Sequence, residues 1–198
     1  MPINQKYLAK FESGGNYHIY NRSHSDKKMF PYEENYFFFL VLIKKYLVDY
    51  LDVYAYSLLP NHFHLFIQVK DDLDIKDEQL NIIVVNQFKK LFISYTHSFN
   101  KTYEKHGGIF STPFRRIAVN DDAYFTQLIY YLHYNAVHHR LVENFEMYPH
   151  SSYKGILSDK PTLLQREKLL NWFGGRDKFI KYHTMQREAY EKFQFYIE

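Results

Sequence analysis

Two histidines separated by one residue, His62 and His64, are the first residues in this chain whose type and spacing can do chemistry. Alternate side chains of a strand point to one face, so the two imidazoles project together while Phe63 and Leu65 project to the other side. A pair of imidazoles fixed in this way is half of a metal site. It is also what a polar stripe on an exposed strand looks like. A second pair, Tyr131 and Asn135, lies four residues apart and therefore on one face of a helix. An amide oxygen is an adequate hard ligand, so His62, His64 and Asn135 form a candidate ligand set for Mg2+ or Mn2+, with phosphate oxygen at the open positions. Tyrosine is a candidate nucleophile. Tyr130, Tyr131 and Tyr134 stand close together, and spacing alone does not choose among them.

The elements around these residues must bring them together. Residues 17–21 read as a first strand, and residues 32–50 as a helix behind Pro31, with Phe37, Leu40, Val41, Lys44 and Leu47 at helical spacing. Residues 53–59 and 62–69 read as a strand pair about the turn Pro60-Asn61. A loop-like acidic stretch then leads to a helix over residues 80–105, stopped by Gly107-Gly108, and a fourth strand over 114–119. Asn120-Asp121-Asp122 supplies cap chemistry for the helix that carries Tyr131. The order βαββαβ followed by a helix predicts an α+β fold, a ferredoxin-like antiparallel sheet with helices on one face. Two further helical patterns, 161–173 and 177–195, predict an extension. The expected division is residues 1–150 as the main domain and 151–198 as a helical extension packed on it.

Composition narrows the class. The chain has 198 residues, 46% of them hydrophobic, enough for one sizeable core. No apolar run reaches the length of a membrane span, and the first ten residues carry no apolar leader core, so no membrane partner and a cytoplasmic location are expected. Cysteine is absent, which excludes disulfides and thiolate metal sites. Aromatics make up 20% of the residues, with 20 Tyr and 18 Phe, and the formal charge is +3. Aromatics with mild basicity suit a surface that stacks bases and tracks phosphates, but the same composition serves core packing equally well.

The ordered set of motifs resembles a known family. The run from Leu58-Leu59-Pro60-Asn61 through His62-Phe63-His64 to Leu65-Phe66-Ile67 resembles the His-hydrophobe-His signature of the HUH single-tyrosine transposases, in the form of the REP-associated branch. Tyr17-His18-Ile19-Tyr20-Asn21-Arg22 is similar to that family's first strand, and Phe114-Arg115-Arg116 to the segment after its long helix. Tyr131-Leu132-His133-Tyr134-Asn135-Ala136-Val137 resembles its catalytic helix, with Ala136 where the branch usually has proline. The resemblance spans roughly residues 15–156.

It implies a DNA transposase that cuts and rejoins hairpin-bearing single strands through a 5′-phosphotyrosine. Tyr131 would be the nucleophile, because the family's tyrosine stands four residues before the amide ligand, and the cation on His62, His64 and Asn135 would polarise the scissile phosphate. Arg22, Arg115 and Arg116 are the first candidates for DNA contacts, with Lys44, Lys45, Lys89 and Lys90 behind them. His138-His139-Arg140 reads either as a further phosphate contact or as charge suited to a helix C-terminus. Monomer and homodimer both remain open, the longer C-terminal region favouring the monomer. Two other readings compete: a non-catalytic nucleic-acid-binding module on the same scaffold, and a relaxase or replication-initiation nuclease sharing the histidine pair.

Overall fold

In the computed structural model, which describes residues 7–24 and 28–186, four strands form one antiparallel sheet. They are β1 (Asn16–Arg22), β2 (Leu51–Leu59), β3 (His62–Val69) and β4 (Arg115–Ala118), in the order β2-β3-β1-β4. That order, with a helix between β1 and β2 and another between β3 and β4, is the ferredoxin-like arrangement expected from the element sequence. The helices are α1 (Glu33–Tyr46) and α2 (Asp77–Tyr103). Both pack on one face of the sheet. Phe63 of β3 points there, with its ring 5.0 Å from Phe39 of α1 and 5.9 Å from Phe92 of α2.

Much of the aromatic excess is spent in this layer. Phe30, Phe39, Phe63, Phe88 and Tyr95 are fully buried, and each edge-to-face or tilted pair contributes about 0.5–1.5 kcal/mol beyond simple burial. Alternation then dictates the opposite face. His62, His64 and Phe66 of β3 and His18 and Tyr20 of β1 point away from α1 and α2, and helix α3 (Asp122–His138) lies over them, with Phe125 edge-on to Phe66 at 4.6 Å. The side chain of Asp121 caps α3 by accepting from the Tyr124 amide at 2.7 Å.

Boundaries moved where periodicity is a weak guide. Helix α2 starts at Asp77 instead of residue 80, because Asp77 and Glu78 suit the positive end of the helix dipole although their acidity reads as loop. Helix α1 ends at Tyr46, after which the chain turns sharply into β2 at Leu51. The extension comprises α4 (Tyr153–Leu157), α5 (Arg166–Trp172) and α6 (Arg176–Met185). The expected helix over 177–195 lies beyond residue 186 in part, outside the described residues. A parallel bridge from Leu164 to Val53 and a 2.8 Å contact from His183 to His133 tie the extension to β2 and α3. Among the described residues no helix is long and apolar enough to cross a membrane.

Candidate active site

The two-residue turn at Pro60-Asn61 starts β3 with His62, and the strand's pleat then sets His62 and His64 on the face under α3. Their rings stand 5.3 Å apart, nearly perpendicular. Each is held by its Nδ1. His62 Nδ1 is 2.7 Å from Asn61 Oδ1, and since an amide oxygen only accepts, the proton sits on Nδ1 and Nε2 keeps its lone pair. His64 Nδ1 is 2.9 Å from Nε2 of His18, so Nε2 is the ring nitrogen not engaged by His18. Burial is the main cause that lowers the pKa of His62 to about 3 and that of His64 well below the usual histidine value. Both rings are therefore neutral at neutral pH, the form that ligates a metal.

Helix α3 delivers the second pair. Tyr131 is buried and meets His64 edge-on at 5.5 Å. Asn135, one turn on, is fully buried. Its carboxamide makes no hydrogen bond of normal length and angle, yet lies close enough to His62 to favour that ring's protonated form. An unsatisfied buried amide costs about 1–3 kcal/mol, so its retention beside the neutral His62 imidazole fits a site that could hold a cation. His62, His64 and Asn135 together offer two imidazole nitrogens and one amide oxygen. Among the described residues no group of three or more His, Cys, Asp or Glu side chains is placed to hold a metal ion.

The three neighbouring tyrosines separate cleanly. Tyr131 faces the histidines, whereas Tyr130 stacks on Tyr134 at 5.4 Å and lies near Phe145 and the extension's Tyr182 and His183. Tyr131 alone of the three lines a cavity of about 410 Å³ with His62, His64, Arg22, Arg115, Tyr20 and His139. Among the described residues no carboxylate lines this cavity. Arg115 is exposed, with its guanidinium 5.6 Å from the Tyr20 ring, and Tyr20 in turn stacks on His64 at 5.5 Å. A concave surface with two guanidiniums suits a phosphodiester.

Not every candidate comes to the site. Arg116 pairs opposite Ile19 and so points to the far face, where it donates to the Ala9 carbonyl and packs over Phe11 and Phe114. Lys44, Lys45, Lys89 and Lys90 are exposed on α1 and α2, on that same far side of the sheet. His139, read from the sequence as a phosphate contact or as helix-end charge, reaches the site, and so does His18, which sequence reasoning did not place there. His139 caps the end of α3 two turns beyond Tyr131, with its ring 4.7 Å from His62, and the spacing Tyr131, Asn135, His139 was the available signal. His18 had no such signal, because its contact depends on cross-strand register.

No family model matches the chain. It is 28% identical over 139 residues to a protein of Haemophilus influenzae named as a REP-associated tyrosine transposase, across 60% of this chain and 78% of that one. Its fold matches the solved structure of a REP-associated tyrosine transposase bound to a REP hairpin, with a TM-score of 0.64 at 16% identity, covering 81% of this chain and 89% of that one. The chain is thus similar in sequence to one such transposase and in fold to another, in agreement with the resemblance its motifs carry.

Proposed function

We propose that this chain is a DNA transposase that cuts and rejoins single strands bearing hairpins, with Tyr131 as the nucleophile. The observation that carries the reading is the convergence of Tyr131, His62 and His64 on a cavity flanked by Arg22 and Arg115, with the buried Asn135 carboxamide beside His62. The relatives named above are transposases of this kind, and one of them was solved on a hairpin. A binding module would have no use for a buried amide without a well-formed hydrogen bond beside a neutral imidazole.

Tyr131 Oη attacks the scissile phosphorus. The new bond joins phosphorus to Oη, the bond to the 3′ oxygen breaks, and the tyrosine's proton is balanced by protonation of that oxygen, giving a 5′-phosphotyrosine and a free 3′-hydroxyl. A later attack by a 3′-hydroxyl reverses the exchange and restores Tyr131, so rejoining consumes no ATP. Arg22 and Arg115 hold the phosphate by charge-assisted hydrogen bonds. His62, His64 and Asn135 would hold Mg2+ or Mn2+, which would supply Lewis-acid polarisation of the phosphoryl oxygen and offset charge in the transition state. All these groups come from one chain, so one copy carries a complete site.

A panel of labelled hairpin-bearing single strands, incubated with the protein and Mg2+ or Mn2+, tests the reading. Divalent-dependent cleavage that disappears in Tyr131→Phe is the expected result. Binding without cleavage on every strand would support the module instead.

A further inference from the structure

His18 is a fully buried residue whose contact with the site follows from register alone. Tyr20 of β1 sits directly opposite His64, and His18 opposite Phe66, which makes His18 the diagonal neighbour of His64 on the face under α3. The two rings lie 5.1 Å apart and 22° from parallel, with His18 Nε2 2.9 Å from His64 Nδ1. Tyr20 stacks on His18 at 5.0 Å and Tyr131 approaches its edge at 6.3 Å.

A hydrogen bond between two neutral imidazoles has two possible directions, and they are not chemically equivalent. If His18 donates, His64 accepts at Nδ1, must carry its own proton on Nε2, and has no lone pair to give a cation. If His64 donates, its Nε2 is a bare lone pair. We propose that His18 is the positioning residue of His64: it accepts the Nδ1 proton and thereby fixes both the ring and the tautomer in which His64 Nε2 binds the cation. This rests on the function proposed above.

The residue type at position 18 follows from that role. An acceptor is required there, since lysine or arginine would only donate and would force the proton onto His64 Nε2. With His64 donating, the proton of His18 resides on Nδ1, an atom that is buried with no hydrogen-bond partner. The arrangement accepts one unsatisfied donor in order to present a ligand, as outer-shell partners of metal-bound histidines commonly set tautomer and basicity.

Mn2+ affinity, measured by titration calorimetry on the intact chain, tests the proposal with no reliance on turnover. His18→Phe keeps an aromatic ring and removes the acceptor, and should weaken Mn2+ binding by about 10–100-fold while its thermal midpoint is unchanged or raised. His18→Gln restores an acceptor and should stay within about threefold of the parent. A packing role predicts the reverse order, so equal Mn2+ affinity in His18→Phe, or a loss in His18→Gln as large as in His18→Phe, would overturn it. Should His18→Phe fail to fold, 15N spectra of the histidine-labelled parent in Mg2+ decide. Protonated Nδ1 on both His18 and His64 supports the proposal, and a protonated Nε2 on His64 defeats it. His62→Ala serves as the control for the underlying reading: if it binds Mn2+ like the parent, the cation is not at this site and the functional proposal itself fails.

Discussion

His64 and His133 are both buried, both bonded to a second histidine and both held neutral, yet one network is closed and the other is left open. His133 lies two residues beyond Tyr131 and so on the other side of α3. There the protons can be followed from end to end. The Phe179 carbonyl accepts from His183 Nδ1, His183 Nε2 accepts from His133 Nδ1, His133 Nε2 accepts from the Ser152 hydroxyl, and Ser152 Oγ accepts from the Tyr56 amide, at 2.8, 2.8, 2.7 and 3.0 Å. Every member is satisfied. Around His64 the corresponding chain stops: His18 Nδ1 is buried without a partner, and the nearby Asn135 carboxamide makes no well-formed hydrogen bond, only a close approach to His62. Satisfied buried networks rigidify a fold, whereas orphaned groups of the same chemical type cost stability and call for another reason to exist. The closed network anchors α6 and the segment at Ser152 to α3, and the open one lies beside the cavity where the cation is proposed to bind.

That contrast predicts separable losses. His62→Ala should reduce divalent-dependent cleavage by about 10²–10³-fold while leaving DNA binding and urea stability close to the parent, as read by a cleavage time course beside a filter-binding curve. Unchanged cleavage would remove His62 from the site. His133→Ala should behave in the opposite way, lowering unfolding stability by about 2–4 kcal/mol in urea, because it leaves His183 and Ser152 unpaired and opens a cavity.

Acid should act on the closed network too. Burial lowers the pKa of His183 to about 4, and that of His133 well below its usual value, so the folded chain stays neutral at these positions while the unfolded chain takes up protons below about 6.5. The stability these neutral rings allow is fully present above about pH 6.5 and is lost as pH falls toward 4, by on the order of 3 kcal/mol for His183. Urea midpoints at several pH values, compared between the parent and His183→Gln, isolate that slope. The smallest expected effect is that of Asn135→Leu on stability, within about 1 kcal/mol and in the stabilising direction, since a partnerless amide is removed. A loss as large as that of His133→Ala would show that Asn135 is satisfied in some other way.

How far the site could be read from sequence depended on whether a contact is local. Strand β3 matches the expected residues 62–69 at both ends, because a turn dipeptide and a strict alternation fix it. The i,i+4 spacing of Tyr131 and Asn135 likewise needs only one helix. The short α4 and the 3-10 turn Phe145–Met147 gave no signal, being too brief to establish a period. Arg115 and Arg116 were both candidates for DNA, although successive strand residues cannot share a face, and the structure sends only Arg115 to the cavity. The pairing of His18 with His64, and the separation of Tyr131 from Tyr130 and Tyr134 by what each packs against, are products of tertiary register and were not accessible from spacing.

Tyr131 is proposed to make the covalent bond to DNA beside the His62–His64 pair. Trapping the protein on a hairpin-bearing single strand with Mg2+ or Mn2+, digesting it and mapping the modified peptide by mass tests this most directly. A divalent-dependent nucleotide adduct on Tyr131, absent from His62→Ala, is the predicted result; an adduct on Tyr130, Tyr134 or any other tyrosine would contradict it.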